Sequence, residues 1–367
     1  MRIQRCKGTR DLSPDEMTRF RLIEGIFRDC CLKGGYREIR TPTLEYLHLF
    51  TSTGTLTPGT LGKVYSFLDW DGWSGERVVL RPDATIPVAR SYIDTMPDGG
   101  LTKLFYVTNI FIFEETGKET RERWQCGAEL IGAGSTMADV ELITLALDTL
   151  KKLGLKKVEL RLSHAGLIRA LLAEFGLTPQ EQASVFDQIL DGDEAVFKRL
   201  KATTPEVGEI LAPLLDPKGQ SAGFLRNLKA LFRRDLPEFE AALENFIEIV
   251  DLMEALGYSY QIDIASGRGF EYYTGIIFQF FADKERVAGG GRYDALIPLI
   301  GGQEIPASGF ALYLDPLMGL IKPEVIDGRL PERILIRVGD STPKMVKEGF
   351  SIATSLRYAG YAAEMSM

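Results

Sequence analysis

Histidine and cysteine are scarce in this chain of 367 residues, which holds two histidines and four cysteines. Because His48 and His164 are the only histidines in the sequence, a zinc site built from several of them is not expected. The cysteines show no CxxC spacing, so we expect reduced, buried thiols in a cytoplasmic protein. They are Cys6, Cys30, Cys31 and Cys126.

Long apolar runs and basic clusters are also lacking. No apolar run reaches the roughly 18 residues that a membrane span needs, and Met1–Cys6 has no apolar signal core, so neither a span nor export is expected. The formal net charge is -8, and no strongly basic patch indicates nucleic-acid binding. Basic pairs such as Lys151–Lys152 are interpreted as solvated helix faces, and tRNA is therefore not an expected ligand.

Two glycine-rich stretches bring arginine and tyrosine together, Ala265–Gly275 and Gly289–Asp294. Glycine allows left-handed turns and a close approach to a ligand, so both stretches are predicted to be turns. Their arginines offer a charged fork for a carboxylate, and paired tyrosines offer flat apolar walls with a hydroxyl at the tip. The combination indicates a pocket for a small zwitterion with a planar side chain. For any single residue, two turns flanking a core strand remain the alternative.

Polar residues on two other segments extend this prediction. Asp83 and Thr85 stand where a predicted strand ends and a helix begins, so they either receive an ammonium group or cap the helix. Gln125 and Glu129 are four residues apart on a predicted strand and therefore point to one face. A buried glutamate needs a partner, which a ligand would supply.

Periodicity predicts a mixed α+β chain. Ser13–Glu16 is typical of a helix start with a capping box. From His164 to about Gly257 the pattern is helical and poor in strands, which indicates a helical insertion. His164 itself is interpreted as a structural residue at a strand–helix turn. Strands are predicted at 64–69, 77–80, 104–114 and 123–131.

The patterns RGFEYYTG and GGGRYD together resemble the histidine-binding signature of histidyl-tRNA synthetases and of their non-aminoacylating relatives. The resemblance extends from Lys7 to about Leu320. It implies the class II aminoacyl-tRNA synthetase fold, an antiparallel sheet flanked by helices, and a homodimer built on the helix, strand and Pro42 of the first signature motif. It also implies three segments: a core over 1–163 and 258–325, a helical insertion over 164–257, and a partial anticodon-binding-like α/β fragment over 331–367.

The resemblance also implies a histidine site without a metal. Glu129 together with Tyr273 would hold an imidazole N–H, Gln125 would help with the ammonium group, and Arg268 would lie beside the carboxylate. The expected substrate-binding residues are Asp83, Thr85, Gln125, Glu129, Arg268, Tyr272, Tyr273 and Arg292.

Two positions depart from the synthetases. Where the enzymes carry arginines that hold ATP, this chain has Ile112 and Pro316, which cannot neutralise a phosphate. The loss of both arginines fits the family's regulatory members, which serve short-form ATP phosphoribosyltransferases in histidine biosynthesis. Resemblance to these members implies a catalytic-subunit partner, no catalytic residue and no cofactor.

The alternative is an active histidine–tRNA ligase. It would use ATP and Mg²⁺, with Arg268 as its catalytic residue and with another arginine replacing the lost ones. A stand-alone amino-acid sensor, or a relative that activates another substrate, also remains open. In an active ligase, the arginines that could replace the two lost ones are Arg121, Arg123 and Arg292.

Overall fold

The computed structural model describes most of the chain in two compact units, Met1–Leu320 and Ile321–Met367. The predicted segment boundaries at 163, 257 and 331 remain predictions. The described residues are 4–6, 8–54, 56, 61–69, 75–96, 99–112, 121–191, 193–203, 222–231, 236–267, 272–322, 331–340 and 342–366.

An eight-stranded sheet forms the centre of the first unit, with antiparallel pairing at every junction except the two edge pairs. This architecture confirms the predicted α+β class with an antiparallel sheet. In order across the sheet the strands are β1 (Arg37–Glu38), β5 (Thr102–Phe111), β6 (Glu122–Ile131), β11 (Ala307–Tyr313), β10 (Glu285–Arg292), β9 (Ile276–Ala282), β7 (Glu159–His164) and β8 (Gln261–Ile262).

Helices cover this sheet. The first helix begins with the capping box, in which Ser13 and Glu16 exchange hydrogen bonds between side chain and backbone. Its buried Phe27 meets the rings of Phe105 and Phe310 edge-on at 5.9 and 6.3 Å, so it packs against strands β5 and β11. The helices outside the β7–β8 connection are α1 (Pro14–Lys33), α2 (Leu47–Thr51), α3 (Thr85–Thr95), α4 (Thr136–Lys152), α10 (Leu296–Leu299) and α11 (Leu314–Leu320).

A small antiparallel sheet precedes α3. It has the order β2 (Leu44–Tyr46), β4 (Arg77–Leu80), β3 (Ser66–Leu68). The buried Arg81 ties the end of β4 to the central sheet, because its Nε donates to the carbonyl oxygen of Asn109 at 2.8 Å. The start of α3 is thereby held beside strand β5.

Five helices occupy the described part of the connection between β7 and β8. At its start, His164 caps the first of them: Nδ1 accepts from the amide of Leu167 at 3.2 Å, and Nε2 lies 3.1 Å from Oδ1 of Asn245. Burial lowers the pKa of His164 to about 4, which fits the structural role expected of it. The helices are α5 (Ala165–Ala173), α6 (Pro179–Leu190), α7 (Glu194–Thr203), α8 (Ala222–Leu231) and α9 (Pro237–Ala255).

The second unit is a strand–helix–strand arrangement. Strands β12 (Arg333–Ile336) and β13 (Ala362–Met365) pair in parallel, and α12 (Pro343–Tyr358) connects them. The helix packs closely against β13 at Gly349, where an added Cβ would stand 3.0 Å from the methyl group of Met365. Among the helices of both units that the structure describes, none has the length and apolar character that a bilayer crossing requires.

Candidate functional site

A cavity of about 600 Å³ opens on the central sheet of the first unit. Its walls come from the start of α3, from strands β6, β10 and β11, and from the turn before β9. The structure brings together in its lining five of the residues predicted from the sequence, Asp83, Thr85, Gln125, Tyr272 and Tyr273.

The triple glycine that was predicted to form a turn, Gly289–Gly291, lies instead inside strand β10, so that prediction is wrong. The physical reason is close packing. An added Cβ on Gly290 would stand 2.2 Å from the carbonyl oxygen of Gly309 on β11. A Cβ on Gly309 would in turn stand 1.7 Å from Oε2 of Glu129. These glycines therefore make room for the side chains at the cavity.

Glu129 lies beneath the cavity floor and is only 1% exposed. Its carboxylate accepts hydrogen bonds from three hydroxyls: Thr85 at 2.8 Å and Tyr106 at 3.1 Å on Oε1, and Tyr293 on Oε2. Burial raises the pKa of Glu129 to about 8, because the hydroxyl hydrogen bonds offset only part of the desolvation. The folded chain therefore retains the proton of this carboxyl group to a higher pH than an exposed glutamate does.

Asp83 caps a helix, as one interpretation of the sequence predicted, while its role toward an ammonium group stays a prediction. It lines the cavity, and its Oδ1 accepts from the amide of Ile86 at 2.8 Å, which caps the first turn of α3. Burial raises its pKa, although backbone N–H groups oppose that shift. Thr85, in contrast, directs its hydroxyl to Glu129.

The paired tyrosines form one wall. Their rings are nearly perpendicular, with centroids 5.1 Å apart, and Tyr272 also contacts the ring of Tyr293 at 5.7 Å. The hydroxyl of Tyr272 is buried and has no hydrogen-bond partner within the described ranges. The Gln125 side chain, which also lines the cavity, donates from its amide nitrogen to the Tyr106 hydroxyl at 3.5 Å.

Of the two predicted arginines, Arg292 is not found in the lining that the described residues form. Arg292 is buried elsewhere, and its guanidinium binds Asp139 at 2.9 and 3.2 Å and two backbone carbonyls. This geometry does not support Arg292 as a ligand residue. Arg268 lies outside the described residues.

Pro316, one of the two positions that depart from the synthetases, forms part of the lining. Ile112 is not in the lining, and its amide donates to the carbonyl of Arg121 at 3.0 Å. Of the arginines considered as replacements, Arg123 alone reaches the cavity, where Arg286 also lies. Arg121 instead directs its side chain to the hydroxyl of Tyr65.

Sequence reasoning missed Tyr106 and Tyr293, the phenolic partners of Glu129. The GGGRYD pattern contained a signal for Tyr293, because this residue is part of the pattern and stands two positions after its last glycine. Tyr106 gave no comparable signal. Its ring covers Gly127, where an added Cβ would stand 2.2 Å from it, and only the pairing of β5 with β6 reveals this contact.

Comparison with known proteins gives the same family that the sequence motifs resemble. The family model described as histidyl-tRNA synthetase matches residues 8–317. The chain belongs to the histidyl-tRNA synthetase family. It is 55% identical to the ATP phosphoribosyltransferase regulatory subunit of Dehalococcoides mccartyi strain BAV1, over 99% of this chain and 87% of that protein. It is 33% identical to the histidine–tRNA ligase of Methanocaldococcus jannaschii, over 99% of this chain and 86% of that protein.

Solved structures agree on the fold. An ATP phosphoribosyltransferase regulatory subunit/histidyl-tRNA synthetase from Bacillus halodurans has a TM-score of 0.83 at 24% identity, covering 100% of this chain and 93% of its own. Apo histidyl-tRNA synthetase from S. aureus has a TM-score of 0.68 at 22% identity, covering 100% of this chain and 85% of its own. The predicted fold class is therefore confirmed, and the 55% identity confirms the prediction of a regulatory subunit over a tRNA ligase.

Proposed function

We propose that this chain is the regulatory subunit of an ATP phosphoribosyltransferase in histidine biosynthesis and that it binds histidine in the cavity of its first unit. The observation that carries the proposal is a cavity lined by Asp83, Thr85 and the two tyrosines, with Pro316 in place of an arginine that the resemblance implies for ATP. Such a complex would work in the cytoplasm, where thiols stay reduced, and all four cysteines are free.

The lining supports histidine by its chemistry. An α-ammonium group would find the Asp83 carboxylate, and a planar imidazole would fit against the Tyr272 and Tyr273 rings. Burial is the main influence on the pKa of both Asp83 and Glu129, and hydrogen bonds oppose it only in part. A ligand that brings positive charge and N–H donors would therefore lower the raised pKa of both groups.

The same cavity argues against aminoacylation. An adenylate-forming site needs fixed positive charge on the α-phosphate, and loss of one such donor costs about a hundredfold to a thousandfold in rate. Neither Ile112 nor Pro316 provides it, and the side chains of Arg121 and Arg292 are engaged outside the cavity.

A second copy of this chain is the proposed partner for the small sheet. Leu44, Tyr46 and Phe67 expose 47%, 43% and 45% of their surfaces on one face of it, because Tyr46 and Phe67 both stand opposite Val78. A contiguous exposed apolar face commonly marks an interface. Light scattering after gel filtration tests this: a homodimer is expected, and the double substitution of Leu44→Glu and Phe67→Glu should give monomers.

The test of function is reconstitution with a short-form ATP phosphoribosyltransferase catalytic subunit. Addition of this chain should stimulate formation of phosphoribosyl-ATP, and histidine should reduce the stimulated rate. Calorimetry on the same preparation should show histidine binding, weakened in Glu129→Ala and Arg268→Ala without loss of the folded state. Histidine-dependent ATP–pyrophosphate exchange at an enzyme-like rate, or no effect on the transferase, would refute the proposal.

A further inference from the structure

Helix α5 contacts the backbone of the turn that carries the cavity's tyrosine wall. The amide of Ala165, at the start of α5, donates to the carbonyl of Gly275 at 2.8 Å. One turn later, the guanidinium of Arg169 donates to the carbonyl of Tyr273. Between them, an added Cβ on Gly166 would stand 3.3 Å from the carbonyl oxygen of Thr274. Three successive carbonyls of the turn therefore face this one helix.

The other side of the turn is fixed to strand β10. The amide of Thr274 donates to the carbonyl of Arg292 at 2.7 Å, and the amide of Asp294 donates to the Thr274 hydroxyl at 2.9 Å. The turn is thus held between β10 and α5, while the ring of Tyr273 faces the cavity. Because Tyr273 belongs to this turn, its contacts with α5 help to set the position of Tyr273.

Helix α5 is itself joined to α9, the longest helix of the β7–β8 connection. His164, which caps α5, lies 3.1 Å from Asn245 on α9. The next residue, Phe246, is fully buried and places its ring 5.7 Å from the His164 ring. A continuous set of contacts therefore runs from α9 through His164 and α5 to Tyr273.

We propose that Arg169 is a positioning residue for the histidine pocket and that, through it, ligand binding in the cavity is coupled to helices α5 and α9. The inference rests on the proposed histidine binding and deepens it. A half-buried cation that donates to a backbone carbonyl fixes the direction of that peptide, and hence of the adjoining tyrosine ring. Coupling of this kind is reciprocal, so order in the helices and affinity in the pocket must change together.

Titration calorimetry with L-histidine on the full chain tests the first part. Arg169→Met should weaken binding about tenfold, within the range that mutations along a coupling network produce. Arg169→Lys should recover most of that loss, because an ammonium group can donate to the same carbonyl. The matched control is Arg161→Met on strand β7, whose side chain pairs with Glu159 and Asp263 and should leave histidine affinity unchanged.

Hydrogen–deuterium exchange tests the coupling itself. Saturating histidine should protect amides of α5 and α9 in the wild type and in Arg161→Met, but much less in Arg169→Met. Gly166→Ala offers a second variant that keeps the charge: the added Cβ crowds Thr274 and His164, so affinity should again fall.

Two results would overturn the inference: wild-type affinity in both Arg169→Met and Gly166→Ala, or ligand-induced protection of α5 and α9 that persists in Arg169→Met. If the wild-type chain fails to bind histidine, the histidine site of the proposed function fails instead, which keeps the two failures distinct.

Discussion

The hydroxyl of Tyr293 donates to Oε2 of Glu129 across strand β11. Glu129 is on β6, Tyr293 directly follows β10, and β11 lies between these two strands. Gly309 makes this contact possible. It stands in register with Glu129 on β6, and the carboxylate occupies the space that a Cβ of Gly309 would need. The glycine and the acid are therefore a matched pair, and the cavity floor depends on both.

Gly309→Ala should consequently disrupt the floor. Because the new Cβ would stand 1.7 Å from the carboxylate, Glu129 must move, and overpacking of this kind costs about 1–3 kcal/mol of stability. Histidine binding should be lost at the same time. Chemical unfolding and calorimetry measure the two effects. Gly319→Ala is the control, since nothing lies within 4 Å of its Cβ and stability should be unchanged or slightly raised.

The raised pKa of Glu129 makes stability depend on pH. Between the ordinary value of 4.5 and the folded value of about 8, the unfolded chain has released this proton while the folded chain retains it. The free energy of unfolding should therefore decrease as pH rises through this window, by about 1.4 kcal/mol per pH unit from this group alone. Below pH 4.5 the contribution is fully present, and above pH 8 it is lost.

Glu129→Gln removes that titration. Urea unfolding at pH 5, 6 and 7 should show the wild type losing stability faster than the variant, by about 2.7 kcal/mol over the two units. All other ionisable groups are common to both proteins, so the difference isolates Glu129. Parallel pH profiles would mean that Glu129 is ionised in the folded state.

Several residues around this cavity could be predicted from the sequence alone. Asp83, Thr85, Gln125, Tyr272 and Tyr273 were predicted because they stand at the ends of recognisable strands or in a distinctive motif, where local pattern and position agree. Such local signals also predicted the helices and the α+β class.

The predictions that failed concern residues whose roles depend on contacts between distant segments. The triple glycine fits a turn and a crowded strand equally well, and only the neighbouring β11 decides between them. Arg292 suggested a ligand residue until its partner was known. That partner, Asp139, is 153 residues away, and nothing in either local pattern links the two.

Breaking this buried pair should be costly. Arg292 and Asp139 are 7% and 1% exposed in their side chains, so Asp139→Asn leaves a buried guanidinium without its main counter-charge. A loss of about 3–5 kcal/mol is expected in chemical unfolding. Asp251→Asn is the control, because its pair with Arg226 is half exposed and should contribute less than about 1 kcal/mol. Equal losses in the two variants would contradict a buried, structural role for Arg292.

The last prediction concerns the lost arginines. Ile112→Arg alone should not create ligase activity, because Ile112 lies outside the cavity lining and Pro316, the second replaced arginine, remains. Each missing phosphate contact costs about a hundredfold to a thousandfold in rate, so one restored contact leaves activation far below an enzyme-like level. Histidine-dependent ATP–pyrophosphate exchange is the measurement, and retained histidine binding in the same variant shows that its pocket is intact. Measurable exchange by this single variant would mean that Arg123 or Arg286 already performs the work of the second arginine, and that the absence of activity in the parent chain depends on Ile112 alone.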